Sequence, residues 1–400
     1  MADIKYYLKE KEKRERKQRG YKKKIVRHKL TAWYRVLLIL FLLAAVIVFM
    51  AVRYKNHIYM DYETLSSIKR ETVTGARDVR LGDAVLTYSK DGAHCTDIKG
   101  EVSWNQTFEI QNAKLAVCGN TVAIGNYNGR NIYIADSEKL LGEINTTMPI
   151  RDIAVALDGT VTAVLADTDV TWVNTYNSQG KQQREGRTHM DDSGYPMALS
   201  LSPNGQMLCV SYVYVDAGVL RTRVVFYDFS QVGSNVSDSL ATVWDYTDML
   251  IPEVRFVSND KAFAVGDNML VIYSGNHKPS PEAGHQYDGE VQSVFYSDRY
   301  IGLVFHSDDN ENRYRMDVYD TANATSKPKK FYFNFNYTDI FFEKNSFVIY
   351  NETECQIMTM DGVEKFHGNF TKMVRLMLPA GGGYKYLLVT DTSLDTIQLK

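Results

Sequence analysis

Cysteine, proline and long apolar runs are all scarce in this chain, and each scarcity removes a class of protein. Four cysteines in 400 residues (Cys95, Cys118, Cys209 and Cys355) are too few for a disulfide scaffold and too far apart for a CxxC-type metal site. Cys118 in LAVCGN and Cys209 in MLCVSY lie inside apolar runs. They are expected to be buried free thiols packing as small hydrophobes, with one disulfide as the alternative. There is no P-loop, no G-x-G-x-x-G and no HExxH, so the common phosphate-, dinucleotide- and zinc-binding signatures are missing. Outside the first 56 residues nothing has a clear 3.6-residue apolar period, which argues against inserted helical or α/β domains. What remains is rich in Val, Ile and Thr and holds most of the 27 Tyr, a strand-forming composition.

The one long apolar run is WYRVLLILFLLAAVIVFMAV at 33–52, uncharged from Leu37 to Val52. About 20 residues at 1.5 Å each cover a hydrocarbon core of ~30 Å, so a transmembrane helix is expected over 33–53. Arg35 is placed to snorkel, and Trp33, Tyr34, Tyr54 and Tyr59 suit interfacial belts. A cleaved signal peptide wants a shorter basic region and a shorter apolar core than these. Residues 1–30 carry 13 Lys or Arg against 4 acids, and ten of the basic residues fall within 13–32. The positive-inside rule therefore predicts a cytoplasmic tail at 1–32 and an extracytoplasmic C-terminal part. The tail suits contact with anionic lipid; it carries no nucleic-acid-binding motif, and no nucleic-acid partner is expected.

Beyond a linker at 54–76, one unit recurs through 77–400. An alternating apolar strand breaks at Asp, Asn or Gly, a β-branched strand comes next, then a turn and more polar strands. IAVALDG, TVTAVLAD and TDVTWV form one such series; VRFVSND, KAFAVGD and NMLVIY form another. The units start near 78, 113, 150, 196, 252, 290, 337 and 372, about 40 residues apart. The expected fold is all-β: an eight-bladed β-propeller, with seven blades or a β-sandwich array as alternatives, preceded by one transmembrane helix. The last unit supplies only three strands, so the segment 65–76 is expected to provide its fourth and lock the ring.

CTDIKGEVSW at 95–104 places Asp97, Gly100 and Trp104 at D-x-x-G-x-x-x-W spacing, which resembles the outer turn of quinoprotein-type propeller repeats. There an Asp caps the turn, Gly takes the positive φ and Trp packs between blades. NSQGKQQ at 177–183 and MDGVEKF at 360–366 are looser echoes that lack the Trp, and LSPNG at 201–205 is similar to the SPDG turn of other propellers. The likeness implies architecture and no quinone cofactor. KDGAHCTDIKGEVSWNQTFEIQN at 90–112, SGYPMALSLSPNGQMLCVSYVYVDAG at 193–218, VVFYDFSQVG at 224–233, VRFVSNDKAFAVGDNMLVIYSG at 254–275 and VQSVFYSDRYIGLVF at 291–305, joined to the anchor, resemble an uncharacterised family of propeller-like membrane proteins of Gram-positive clostridia. That resemblance implies a bacterial cell membrane and no particular chemistry.

An anchor followed by a propeller is also similar to dipeptidyl-peptidase-like enzymes, but G-x-S-x-G is absent and no residues are left to build the hydrolase domain. The histidines His94, His189, His277, His285, His306 and His367 show no metal-ligand spacing, and each reads as a loop or strand residue. Asp191–Asp192 and Asp308–Asp309–Glu311 are acidic loops without the spacing of a calcium loop. Seven sequons start at Asn105, Asn145, Asn235, Asn323, Asn336, Asn351 and Asn369; in a bacterium these are turn and strand residues. FYFNFNYTDIFF at 331–342 reads as inter-blade core, or as a sugar- or peptide-binding face if exposed. No catalytic, cofactor or metal residue is therefore expected. The favoured function is a non-catalytic scaffold binding a protein or an envelope polymer. The alternatives are an envelope enzyme using carboxylates at the propeller mouth, and a sensor signalling through the basic tail.

Overall fold

The structure is a computed structural model that describes residues 2–400 except 56, 72, 167–169, 189–193 and 309–310. It comprises two units, Met1–Ile58 and Tyr59–Lys400. The first is one helix, Ala2–Lys55, free of proline and with a single glycine, Gly20. Its window Trp33–Met50 has a mean hydropathy of 2.5 and is wholly exposed, so this helix is long and apolar enough to cross a membrane.

The second unit is eight four-stranded antiparallel sheets, which removes the seven-bladed and sandwich alternatives. The first strand of each blade is Arg77–Leu81, Ala113–Cys118, Ile150–Val155, Tyr195–Leu201, Glu253–Phe256, Val291–Tyr296, Asp339–Glu343 and Val374–Pro379. Every start lies within two residues of its expected position. First strands of neighbouring blades approach one another, including those of blades 8 and 1, so they form the inner wall of a closed ring. Second strands such as Val161–Ala166 are buried along their whole length, because each sheet is covered on both faces. One apolar cluster occupies each of the eight blade junctions.

Blade 8 completes itself with Tyr62–Lys69, antiparallel to Ser393–Leu399 in the register Tyr62↔Leu399 to Lys69↔Ser393. The closing strand therefore sits earlier than the expected 65–76. Residues beyond Lys69 turn through Gly75, at φ +81°, to reach blade 1. The strand is largely exposed; Ile68 is its inward anchor, against Leu376, Leu387 and Leu394.

The ring closes on a buried carboxylate. Asp78, on the first strand of blade 1, has no exposed side-chain surface. Its Oδ1 accepts from Arg70 Nη2 at 2.7 Å and from Thr87 Oγ1 at 2.6 Å, and Oδ2 faces Arg375 Nε at 3.2 Å. Arg70 comes from the segment after the closing strand, and Arg375 from blade 8. Arg375 also pairs with Asp391 at 2.8 Å and donates to the Ala76 carbonyl.

Two kinds of loop divide the propeller's faces. The upper face carries the links between blades and the second-to-third-strand hairpins; the lower face carries the remaining turns.

Candidate functional site

The turn predicted from Asp97, Gly100 and Trp104 has the expected geometry. Asp97 Oδ1 accepts from the Lys99 and Glu101 amides at 2.8 Å each, and Gly100 takes φ +81°. Trp104 packs into the cluster between blades 1 and 2 and donates Nε1–H to the Asp136 carbonyl at 2.7 Å. Asn177 and Gly180 repeat the turn in blade 3. Four residues after Gly180, where Trp104 would be, stands Arg184.

The inner strands bring together groups that sequence spacing could not. Blades 3, 4, 6 and 8 each carry a bulge at the same place, which gives Arg151, Met197, Gln292 and Arg375 no partner across the ladder. A bulge re-aims a side chain, here at the upper end of the inner wall. Lys114 of blade 2 pairs with Asp152 of blade 3 at 3.2 Å. Along the same wall stand Arg80, Glu253, Arg255, Asp339 and Glu343.

Burial pushes the Asp339 carboxyl up to about 6; the Ile340 amide at 2.8 Å, the Tyr350 hydroxyl at 3.5 Å and the charge of Arg80 only partly oppose this. Burial also raises Glu343, against the Tyr386 hydroxyl at 3.2 Å and the charges of Lys344 and Arg80. Glu253 is raised by burial against Arg255, 3.3 Å away. Arg80 acts on these two carboxylates of blade 7 only through its charge; its Nε donates to the Gly82 carbonyl of its own blade at 2.8 Å. Burial thus favours the protonated form of all three carboxyls, and Asp339 keeps its proton up to about pH 6.

The histidines do not converge. His277 Nδ1 meets Asp228 Oδ2 at 2.9 Å, with Ser230 Oγ 3.5 Å from the same nitrogen. A nucleophilic triad needs its serine and its aspartate on opposite ring nitrogens, so this trio is a turn clamp. Burial pushes Asp228 up, but the bonds from Ser230 and His277 outweigh it and hold the carboxyl below its usual range. His285 contacts the Ala324 carbonyl and His367 the Glu354 carboxylate, each in a different blade. His306 stacks on Tyr314 at 5.5 Å, and His94 lies on the third strand of blade 1. His189, Asp191, Asp192 and Asp309 lie outside the described residues. Among the described residues no three His, Cys, Asp or Glu side chains form a metal-binding group.

All four cysteines are free, so the disulfide alternative falls. Three are buried. Cys118 is a correction: it ends the first strand of blade 2 on the inner wall and is partly exposed. Phe331 and Phe333 are buried between blades 6 and 7, and Tyr332 between them faces outward, as strand alternation requires. Asn351 Oδ1 caps its own turn through the Thr353 and Glu354 amides, which uses this sequon as turn chemistry.

One upper-face element escaped sequence reading. In blade 4, Met207–Asp216 and Val219–Asp228 are ten residues each, longer than any other strand. Their first-strand neighbour reaches only Val213 and their outer neighbour only Thr222. The hairpin tip, turning through Ala217 (φ +49°) and Gly218 (φ +81°), therefore projects past the sheet. Val215, Val219 and Leu220 are 65%, 49% and 48% exposed there. Asp216–Arg221 at 3.1 Å and Arg223 over the Tyr214 ring at 4.7 Å brace it. The uninterrupted run from Met207 to Val215 was the available signal.

The family model described as a family of unknown function, DUF5711, matches residues 55–399. The chain belongs to the DUF5711 family. Among solved structures it is similar to Sqt1 of Chaetomium thermophilum, with a TM-score of 0.53 at 13% identity, covering 85% of this chain and 98% of that one. A second Sqt1 structure, bound to the N-terminus of the ribosomal protein L10, gives a TM-score of 0.52 at 13% identity over 85% of this chain and 100% of that one. BamB of Moraxella catarrhalis gives 0.48 at 11% identity over 85% of this chain and 100% of that one. At these identities the likeness is one of fold. No curated protein matches the sequence.

Proposed function

We propose that this DUF5711 member is a membrane-anchored, extracytoplasmic propeller that docks a protein of the cell envelope through its upper face. The observation that carries the reading is the projecting blade-4 hairpin. Single exposed apolar residues are ordinary, but three on a braced arm with no outer strand beside Val219–Arg221 form a contact surface. Sqt1, of the same fold, is seen bound to the N-terminus of the ribosomal protein L10, a precedent for a propeller of this architecture that takes a protein segment. The anchor reading rests on the Trp33–Met50 window and the basic excess before it; positive-inside bias puts the propeller outside.

A photo-crosslinker at position 220 in cells should trap one discrete adduct, while the same group at Thr325 on the lower face should not. Leu220→Asp should abolish the adduct trapped from position 219. Equal adducts at 220 and 325 would refute the docking face. In a Cys118→Ala background, labelling by a membrane-impermeant maleimide at an introduced Ser137→Cys, but not at Lys13→Cys, would support the topology; the reverse would overturn it.

A second reading is favoured by Asp339, Glu343 and Glu253 on the inner wall: an envelope enzyme whose carboxyls exchange protons near neutral pH. Asp339→Asn would abolish such an activity and would leave the crosslink at 220 intact.

A further inference from the structure

The junction between blades 3 and 4 is packed in its inner half and open in its outer half. Its inner half is packed by Ala154, Leu199, Leu201 and Val210. Its outer half is a cleft of ≈ 780 Å³. The cause is legible in the outer strand Gln182–Thr188, QQREGRT, which offers blade 4 no apolar side chain. Arg184 holds the position that Trp104 fills in blade 1, and Gly186 stands one step along the same face. A Cβ added at Gly142 in blade 2 would lie 2.3 Å from the Ser178 carbonyl of the next blade, whereas one at Gly186 would meet nothing of blade 4 within 4 Å. Gly142 marks a close approach and Gly186 an opening.

The opening has a built interior. Val173 and Leu208 floor it, Tyr212, Tyr227 and Phe229 wall it, and the turn Gly233–Ser239 bounds its lower side. Tyr212 is 2% exposed, and its hydroxyl lies 3.1 Å from that of Tyr227. Two hydroxyls sharing one hydrogen bond have a second O–H to give, and among the described residues neither has another acceptor. Arg184 donates to Ser239 Oγ at 2.9 Å and to the Phe229 carbonyl at 3.0 Å, and its guanidinium stacks on the Phe229 ring at 4.8 Å. Both acceptors are neutral, and among the described residues Arg184 forms no ion pair with a carboxylate. The nearby acids are otherwise disposed: Glu185 takes a bond from Gln182, and Asp238 lies exposed at the rim. A half-buried cation and a surplus phenolic donor thus face an apolar chamber of the size that takes a small organic ligand.

We propose that the cleft between blades 3 and 4 binds a small amphipathic organic acid, its flat apolar body between Leu208 and the tyrosine and phenylalanine rings and its carboxylate on Arg184 and the Tyr212–Tyr227 pair. The site is separate from the hairpin on the upper face and does not rest on it.

The test uses the full chain in lipid nanodiscs, with 2-naphthoate and its uncharged amide, 2-naphthamide, as probes in titration calorimetry. Gly186 lies outside the left-handed region, but a Cβ there would come 3.2 Å from the Val173 carbonyl, so Gly186→Leu fills the opening with a small local shift, and Ser234→Trp plugs it from the exposed turn should the first variant fold poorly. Wild-type protein should bind 2-naphthoate saturably and the amide about tenfold more weakly. Either filling variant should lose the naphthoate while still melting in one cooperative transition. Arg184→Met should bind acid and amide alike. No saturable binding of naphthoate up to ~10 mM, or equal binding by a folded filling variant, would overturn the proposal.

Discussion

Replacing Asp78 with alanine should loosen the ring at its seam, and the structure sets the size of the effect. The carboxylate is fully buried and takes hydrogen bonds or ion pairs from Arg70, Thr87 and Arg375. The side chains of Arg70 and Arg375 are 11% and 26% exposed, so water cannot replace what they lose. Removing one partner of such a buried network costs about 4 kcal/mol, chiefly as uncompensated charge. A propeller of about 340 residues has an unfolding entropy near 0.7 kcal/mol/K, so its melting temperature should fall by about 6 °C. Differential scanning calorimetry of the full chain in nanodiscs would read this. Arg70→Ala combined with Asp78→Ala should cost less than the sum of the two, because each single change strands the other's charge. Hydrogen exchange at 62–69 should accelerate in Asp78→Ala, since Arg70 is the first residue past the closing strand and its amide bonds the Thr392 carbonyl at 2.9 Å. Lys400→Ala, which breaks an exposed pair with Asp61, serves as control and should not shift the melt measurably. A shift below ~1 °C for Asp78→Ala, or strict additivity with Arg70→Ala, would refute the idea that the seam depends on this carboxylate.

Deleting residues 59–69 should bare the edge of Ser393–Leu399, with its buried Leu394, Ile397 and Leu399. Size-exclusion chromatography with light scattering should then show association, and a monodisperse deletion variant would contradict the ring-closing role. The folded Asp339 carboxyl sits at about 6 against ~3.9 unfolded, so its protonation adds stability that is complete below about pH 4 and lost as pH rises through 6. Asp228, Asp320 and Asp395 are held low and work the other way, so the measurement is the difference between wild type and Asp339→Asn. The variant should gain about 2 kcal/mol relative to wild type between pH 4.5 and 7 in denaturant titrations, and no relative gain would refute the raised carboxyl. Native protein treated with a small maleimide should take up one label, at Cys118, with Cys95, Cys209 and Cys355 reacting only after unfolding; mass spectrometry would count them. Trp104→Ala should cost about 3 kcal/mol by opening the junction between blades 1 and 2, read as a lower denaturant midpoint.

Blade starts were legible in the sequence because each first strand announces itself with alternating apolar residues after a turn, and that signal is local. The closing strand was half legible. Blade 8 visibly lacked a strand, but Tyr62–Lys69 is mostly exposed and carries little alternation, so its place was read late. The seam and the inner wall were not legible. Asp78 meets Arg375 across almost the whole propeller sequence, and Lys114 meets Asp152 from the inner strand of the neighbouring blade; nothing in spacing announces such pairs. Cys118 was misread for a related reason. An apolar run marks a strand, but its last residue can stay partly open at the strand's end even while packing on the junction, as Cys118 does between blades 2 and 3. The missing tryptophan in NSQGKQQ was visible in the sequence, whereas the cleft that its absence leaves is visible only in the folded ring.

An open junction is something a closed ring can tolerate and an open sheet stack could not. In a closed ring each blade is held by two neighbours, so separating the outer halves of blades 3 and 4 does not free either one. The inner halves stay packed through Leu199, Leu201 and Val210, and Arg184 straps the rim to Phe229 and Ser239 of the next blade. The seam between blades 8 and 1 has to be strong for that reason. Its apolar cluster is the smallest of the eight, and it adds a buried ion network and a strand from the far end of the chain. Weakening the seam through Asp78 should therefore loosen the cleft as well. Naphthoate affinity should fall in Asp78→Ala although that residue lies several blades away. If the cleft kept its full affinity while the seam frayed, the two junctions would be independent and the ring would not transmit strain between them.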